Sequence, residues 1–337
     1  MQSYIDEKYM VHFFESLLRS QRFSKEAKNR EQILDFFKGK TDVYLDKDLF
    51  TVLNNFDSSI KAVLLPLINE LTTGRRGTDI FQNQKGQFKI LGNKNIYSKL
   101  KFPFASFWLG NRYRHSINKF RNNSPFYFLT EKDDIDIWKN LSRSKTYFIG
   151  SGTNPDSNDV LNSWAEIKKF AHPFKDIIIS DHFSFQDKTG IEENIIPMIT
   201  GLLVADNKIE NILIFTEKNR ILNNSLEDTY DLIQESLKEL KLEPNIKIYL
   251  SHKTPHGRYT ITNNIFIEFG NSMDFFDKDK NLKSKGKLND SSIRIMPIFD
   301  VNRSQLKSIL TWLKNLSLTI EDDMCYGANS NTILDQL

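Results

Sequence analysis

The most constraining feature of the chain is a run of three short apolar segments separated by two helix-like segments, between Asp176 and Leu250. Asp176 to Ser180 (DIIIS), Asn211 to Phe215 (NILIF) and Ile246 to Leu250 (IKIYL) are continuous aliphatic runs of strand length. Such runs suit strands buried on both faces. Between them, Ile191 to Val204 reads as a helix with acidic residues in its first turn, where they complement the helix dipole. Ser225 to Leu240 is amphipathic, with Leu226, Tyr230, Ile233, Leu237 and Leu240 on one face. Strand, helix, strand, helix, strand predicts a parallel sheet with right-handed crossovers. Tyr259 to Thr262, Ile265 to Phe269 and Ile293 to Ile298 then predict short, antiparallel strands, and Arg303 to Leu316 a closing helix.

The earlier part reads as mainly helical. Tyr9, Phe13, Leu17 and Leu18 recur at helical spacing, and Ile33, Phe36 and Phe37 continue the pattern. Ser59 to Leu71 is a further helix candidate kinked at Pro66, Gly74 to Gly77 a loop, and Gln87 to Leu91 and Tyr147 to Ile149 short strands. The turn-rich stretch GSGTNPDSND, Gly150 to Asp159, marks a domain boundary. The expected organisation is therefore an α/β protein: a mainly helical N-terminal domain over 1–150, a mixed-sheet domain flanked by helices over 160–320, and a tail over 321–337.

Composition narrows the setting. Of 337 residues, 39% are hydrophobic and 12% aromatic, enough for a sizeable core. No apolar run approaches the roughly 20 residues of a membrane span, and the start does not read as a signal peptide. A single cysteine, Cys325, excludes an intrachain disulfide and a thiolate zinc site. A soluble, cytoplasmic protein without integral membrane association is the expectation. The abundance of Lys, Asn, Ile and Phe fits an AT-rich bacterial genome. The net charge of +3 decides little, so local clustering matters more.

The segment HGRYTITNNIFIEFGNSMDFF, His256 to Phe276, carries the chemistry. In a strand, residues i and i+2 share a face, so His256 and Arg258 can converge on one ligand. A turn before Asn263 would let that residue reach it too. Imidazole with guanidinium suits a phosphate: one group attacks or shuttles protons, the other offers a fork of donors. Gly270 then permits close backbone approach after the strand. The plain alternative is a strand-edge histidine beside a surface arginine.

This segment resembles the motif of the phospholipase-D superfamily, His-x-Lys-x4-Asp-x6-Gly-Ser-x-Asn, at His256, Arg258, Asn263 and Gly270. It is more similar still to the phospholipase-D-like domain at the C-terminus of some microtubule-interacting-and-trafficking proteins, through His256-Gly257-Arg258, Asn263-Asn264, Gly270, Asp274 and Phe276. The resemblance covers about the last 140 to 160 residues. It implies a phosphate pocket in which His256, Arg258 and Asn263 occupy the catalytic positions and Gly270 and Asn271 help bind phosphate. The pattern departs at Arg258 for Lys, Asn263 for Asp, Asn271 for Ser and Met273 for Asn. Only one copy of the motif is present, whereas the enzymes use two. These departures favour a binding domain, with nucleic acid as the expected ligand. Such domains in bacteria are associated with defence against phage or mobile DNA, which makes that role, and a partner in a defence complex, the expectation. A metal-independent phosphodiesterase or nuclease acting as a homodimer, with His256 as nucleophile, is the alternative. A protein-interaction scaffold is the third reading. No cofactor or metal is expected.

Asp181 and His182 follow the first strand of the parallel series, and His252 and Lys253 follow the third. Ligands bind at the carboxyl ends of such strands. His182, His252 and Lys253 therefore join His256 and Arg258 as candidates for one electropositive pocket. Asp181 reads equally well as the cap of a turn or of the next helix, with His182 exposed. The run Asn111 to Arg121 carries Arg112, Arg114, His115, Lys119 and Arg121 interleaved with Tyr113 and Phe120. That pattern suits nucleic-acid backbone contact and base stacking, with Arg75 and Arg76 as an extension, or else a solvated basic surface. The acidic clusters Glu131 to Asp136 and Glu321 to Asp323 read as solvated faces.

Overall fold

The computed structural model describes residues 1–20, 24–45, 54, 56–58, 61–62, 65–66, 80–81, 103–149, 159–205, 207–252, 257–283, 291–328 and 332–336. The loop at 74–77, the strand at 87–91, Arg75, Arg76, Lys253 and His256 lie outside these residues, as does most of the helix candidate at 59–71 and most of the turn cluster at 150–159. The chain is α/β and divides into two units, Met1–Ser142 and Arg143–Leu337.

The first unit contains the helices expected from the apolar spacing, α1 (Glu7–Arg19) and α2 (Lys25–Gly39). Each starts at a side-chain cap: Asp6 accepts from the Lys8 N–H, and Ser24 from the Ala27 N–H. Sequence reasoning did not foresee the sheet beside them. Its strands are β1 (Gln2–Ile5), β2 (Asp42–Leu45), β3 (Ile80–Phe81), β4 (Ala105–Leu109) and β5 (Tyr127–Thr130). All four pairings are parallel, in the order β3-β2-β1-β4-β5.

Alternation along β4 separates two aromatic layers. Trp108 packs with Tyr9 of α1, with Phe36 and Phe37 of α2, and with Trp138 of α4 (Asp134–Leu141). Phe107 packs with Tyr4, Phe126 and Phe128, in a cluster that takes in Ile117 and Phe120 of α3 (Ile117–Asn123). Helices thus cover both faces, the usual condition for a parallel sheet.

The second unit is built on an eight-stranded mixed sheet, ordered β13-β9-β8-β7-β10-β11-β12-β6. Its centre is the expected parallel trio: β7 (Asp176–Ser180), β8 (Asn211–Glu217) and β9 (Asn245–Ser251). The antiparallel strands β10 (Arg258–Thr262), β11 (Ile265–Phe269) and β12 (Ser291–Pro297) follow on the other side of β7. The outermost strand there is β6 (Lys145–Ile149), which pairs with β12. This pairing is why the division falls at Ser142, ahead of the turn cluster at 150–159. The segment 321–337 is likewise more than a tail: β13 (Cys325–Gly327) pairs with β9.

Between β7 and β8 the chain forms α5 (Lys188–Gly190), a π-helical turn (Ile191–Ile195) and α6 (Ile196–Leu202). The other helices are α7 (Leu226–Glu239) and α8 (Arg303–Thr319). One continuous core joins Ile177 and Ile179 of β7, Ile212 and Ile214 of β8, Ile267 of β11 and Ile295 of β12 to Ile195, Met198 and Ile199 of the β7–β8 connection. Among the described residues, no helix is long and apolar enough to cross a membrane.

Candidate phosphate site at the carboxyl edge of the second sheet

The three parallel strands β7, β8 and β9 end at one edge of the sheet. Because β10 runs antiparallel to β7 and pairs Tyr259 with Ser180, β10 begins at that edge. Strand β11 returns to it, pairing Phe269 with Arg258. Asp181, His182, Glu217, Ser251, His252, Arg258 and Gly270 are therefore brought to one edge.

Arg258 and Gly270 meet across the β10–β11 hairpin. The Arg258 Nη1 donates to the Gly270 carbonyl at 3.4 Å. The Arg258 Nε is buried and has no hydrogen-bond partner among the described residues. Gly270 has the close approach expected of it: its N–H donates to the Ser292 carbonyl at 2.8 Å, and an added Cβ would lie 3.2 Å from the Ser292 nitrogen. Asn271 follows, partly buried.

Asp181 organises the edge. It is fully buried. Its Oδ2 accepts from the Phe183 N–H at 3.0 Å, the Ser184 N–H at 2.8 Å, the Ser184 hydroxyl at 2.7 Å and the Ser272 hydroxyl at 2.6 Å. Its Oδ1 accepts from the Met273 N–H at 3.2 Å. Asp181 thus caps a turn, as one of its two sequence readings held, and it also ties the end of β7 to the segment after β11. Five donors on one carboxylate stabilise the buried charge. Sequence reasoning missed Ser184, which meets Asp181 within one turn, and Ser272, whose relation to Asp181 exists only through the pairing of β7 with β10 and of β10 with β11.

His182 is buried, not exposed. Its Nδ1 lies 4.0 Å from the Glu217 carboxylate at the end of β8. Glu217 carries no motif and was not foreseen. His252 is exposed just after β9. Lys253 and His256 fall in 253–256, outside the described residues.

Asn263 is held at the other end of the hairpin. It lies five positions along the chain from Arg258, about 17 Å of extended strand. Its Oδ1 accepts from the Lys175 and Asp176 N–H groups, at 2.9 and 3.1 Å, as β7 begins. The expectation that Asn263 reaches the same ligand as Arg258 is corrected: it secures the register of β7 against the β10–β11 turn.

Asp274 and Phe276, also part of the resemblance, pack beneath the edge. Asp274 pairs with Lys283, and burial raises its carboxyl above the ordinary range despite that lysine. The Asn194 side chain in the π-helical turn accepts from the Phe275 and Phe276 N–H groups and donates to the Phe276 carbonyl. The local widening of the helix coincides with this buried side chain, in line with the special positions such turns occupy.

In the first unit, the basic run follows β4. Arg112 pairs with the buried Asp6, and its guanidinium lies 5.0 Å from the Tyr113 ring centroid. Arg121 donates to the Phe128 carbonyl at 2.6 Å and pairs with Asp133. Both thus have acidic partners within the unit while their side chains stay partly exposed. Arg114, His115 and Lys119 are exposed. The acidic cluster nearby is not simply a solvated face. Asp133 accepts from the Thr130 N–H, and Asp134 is buried against Arg30 and Tyr9. Glu321, Asp322 and Asp323 are exposed, as expected.

No protein-family model matches the chain, and no curated protein matches it significantly in sequence.

Proposed function

We propose that the second unit is a degenerate phospholipase-D-like domain that recognises a phosphate-containing ligand, nucleic acid, at the carboxyl edge of its sheet, in the defence role implied by the resemblance. One observation carries this reading: Arg258 sits at that edge with a buried Nε–H that has no partner among the described residues. A buried guanidinium donor left unpaired is costly, and a phosphate oxygen is its natural acceptor. The contact between Arg258 and Gly270 brings together two of the positions on which the resemblance rests. The loss of Asn263 from the pocket argues for binding over catalysis.

The test is the salt dependence of binding to a labelled single-stranded oligonucleotide, measured by fluorescence anisotropy. Arg258→Gln is expected to weaken binding and lower the slope of log affinity against log salt by about 0.7, the value for one phosphate. An unchanged affinity and slope would exclude Arg258 as a phosphate ligand.

A second reading, a metal-independent phosphodiesterase, draws on His182, an imidazole beside a carboxylate at the same edge. General acid–base chemistry needs such a pair. Hydrolysis of a chromogenic phosphodiester in the presence of EDTA, abolished by His182→Gln and by His256→Gln, supports it. Full activity in either variant removes that histidine from the mechanism.

A further inference from the structure

The carboxyl edge also carries an exposed aromatic platform. Phe183, just beyond the end of β7, is 37% exposed. The Arg220 guanidinium, from the loop after β8, lies 4.6 Å from its ring centroid. The platform is fixed from below, because the Phe183 N–H is held by the buried carboxylate of Asp181. The Arg220 N–H in turn donates to the Glu217 carbonyl at 2.9 Å.

Position ties this platform to the phosphate reading. β7 lies between β8 and β10, so the strands bearing Arg220, Phe183 and Arg258 are consecutive along the edge. Neighbouring strands are ~4.8 Å apart, which puts these three groups across about 10 Å. Lys218 and His252 are exposed at the same edge. Inorganic phosphate makes no use of a flat ring carrying a guanidinium. A nucleobase stacks on either. Bases in a duplex have their faces occupied by neighbours, so the platform selects unstacked bases.

We propose that the ligand of this edge is single-stranded nucleic acid, with one base stacked on the Phe183–Arg220 platform and the adjoining phosphate on Arg258. The proposal rests on the phosphate reading of Arg258 and adds the class of ligand. Fluorescence anisotropy of the full chain with a labelled oligothymidylate tests it, with an unlabelled duplex of equal length and inorganic phosphate as competitors. The single strand is expected to compete better than the duplex. Phe183→Ala is expected to weaken oligonucleotide binding by roughly 5- to 150-fold, the usual range for one stacked base. Phe183→Trp is expected to retain it. Circular dichroism checks that both variants fold, as an exposed side chain should allow. If Phe183→Ala binds as the wild type does while Arg258→Gln is weakened, stacking is overturned and the phosphate reading survives. If Arg258→Gln binds as the wild type does, the phosphate reading fails and the proposal falls with it. Preference for duplex over single strand overturns the ligand class alone.

Discussion

Asn263 and Asp176 are joined across the base of the second sheet: the Asn263 Oδ1 accepts from the Asp176 N–H at 3.1 Å and also from the Lys175 N–H at 2.9 Å. Both residues are buried. The hydrogen bonds tie the turn between β10 and β11 to the start of β7, and so help hold Arg258 level with Asp181 at the far edge. Asn263→Ala leaves two N–H groups without their acceptor, one of them on the buried Asp176. The expected cost is about 1–3 kcal/mol, read as a lower urea midpoint with an unchanged slope. Asn263→Asp keeps an acceptor oxygen but buries a charge, and is expected to destabilise as well. A midpoint unchanged in the alanine variant would show that the turn does not depend on this side chain.

His172 makes stability pH-dependent. It is fully buried, with one ring nitrogen 2.6 Å from the Thr262 hydroxyl and the other 2.9 Å from the Phe170 carbonyl. Burial pushes its pKa down from 6.5 to about 4, against the Phe170 carbonyl, which favours the charged form. Between those values the unfolded chain binds the extra proton. Stability from the neutral imidazole is therefore complete above pH 6.5 and lost as pH falls towards 4, by up to ~1.4 kcal/mol per pH unit. Urea unfolding across roughly pH 4 to 7 measures this. His172→Gln is expected to flatten that part of the profile, and an identical slope in the variant would assign the pH dependence to other groups.

The two units differ in how much of them was legible. In the second, DIIIS and NILIF are continuous apolar runs because β7 and β8 are covered on both faces, and Leu226, Ile233 and Leu237 repeat at helical spacing because α7 packs on one side only. In the first, β1 and β2 are four residues each and mix polar with aromatic side chains, so local pattern does not separate them from the helices that follow. Ser3 of β1 is buried because its hydroxyl bonds those of Thr41 and Ser106, distant in sequence. The site divides along the same line. Arg258 and Gly270 were legible through their spacing on one hairpin. Ser272 and Glu217 were not, because each meets its partner only after strands far apart in sequence have paired.

Arg30, Tyr9 and Asp134 form a buried cluster that fixes α4 to α2 and α1. The Asp134 Oδ2 accepts from the Tyr9 hydroxyl at 2.8 Å and from Arg30 at 3.2 Å, and Arg30 and Asp134 are 4% and 2% exposed. Burial holds the Asp134 carboxyl above the usual range, with Arg30 and Tyr9 pulling it back. Asp134→Ala strands a buried guanidinium whose other partner, Glu26, is half-exposed. The expected loss is about 3–5 kcal/mol. Tyr9→Phe removes one hydrogen bond to a charged group and is expected to cost about 1.5–3 kcal/mol. Thermal unfolding of both variants checks the order. Equal effects would show that the tyrosine hydroxyl, not the ion pair, dominates.

The basic run after β4 separates into structural and available cations, and the separation can be measured. Arg121 reaches the Phe128 carbonyl and Asp133, about one-third exposed at both ends of the pair. Arg121→Gln is expected to lower stability by about 1 kcal/mol, after allowance for solvent screening. Arg114 and Lys119 are exposed, and Arg114→Gln with Lys119→Gln is expected to change stability by no more than about 0.5 kcal/mol. If these two side chains bind a nucleic-acid backbone, the double variant weakens oligonucleotide binding and lowers the salt slope by about 0.7 for each phosphate no longer neutralised. Arg121→Gln should leave that slope unchanged. A double variant with wild-type slope and affinity would remove this run from the interface and leave the carboxyl edge of the second sheet to account for binding.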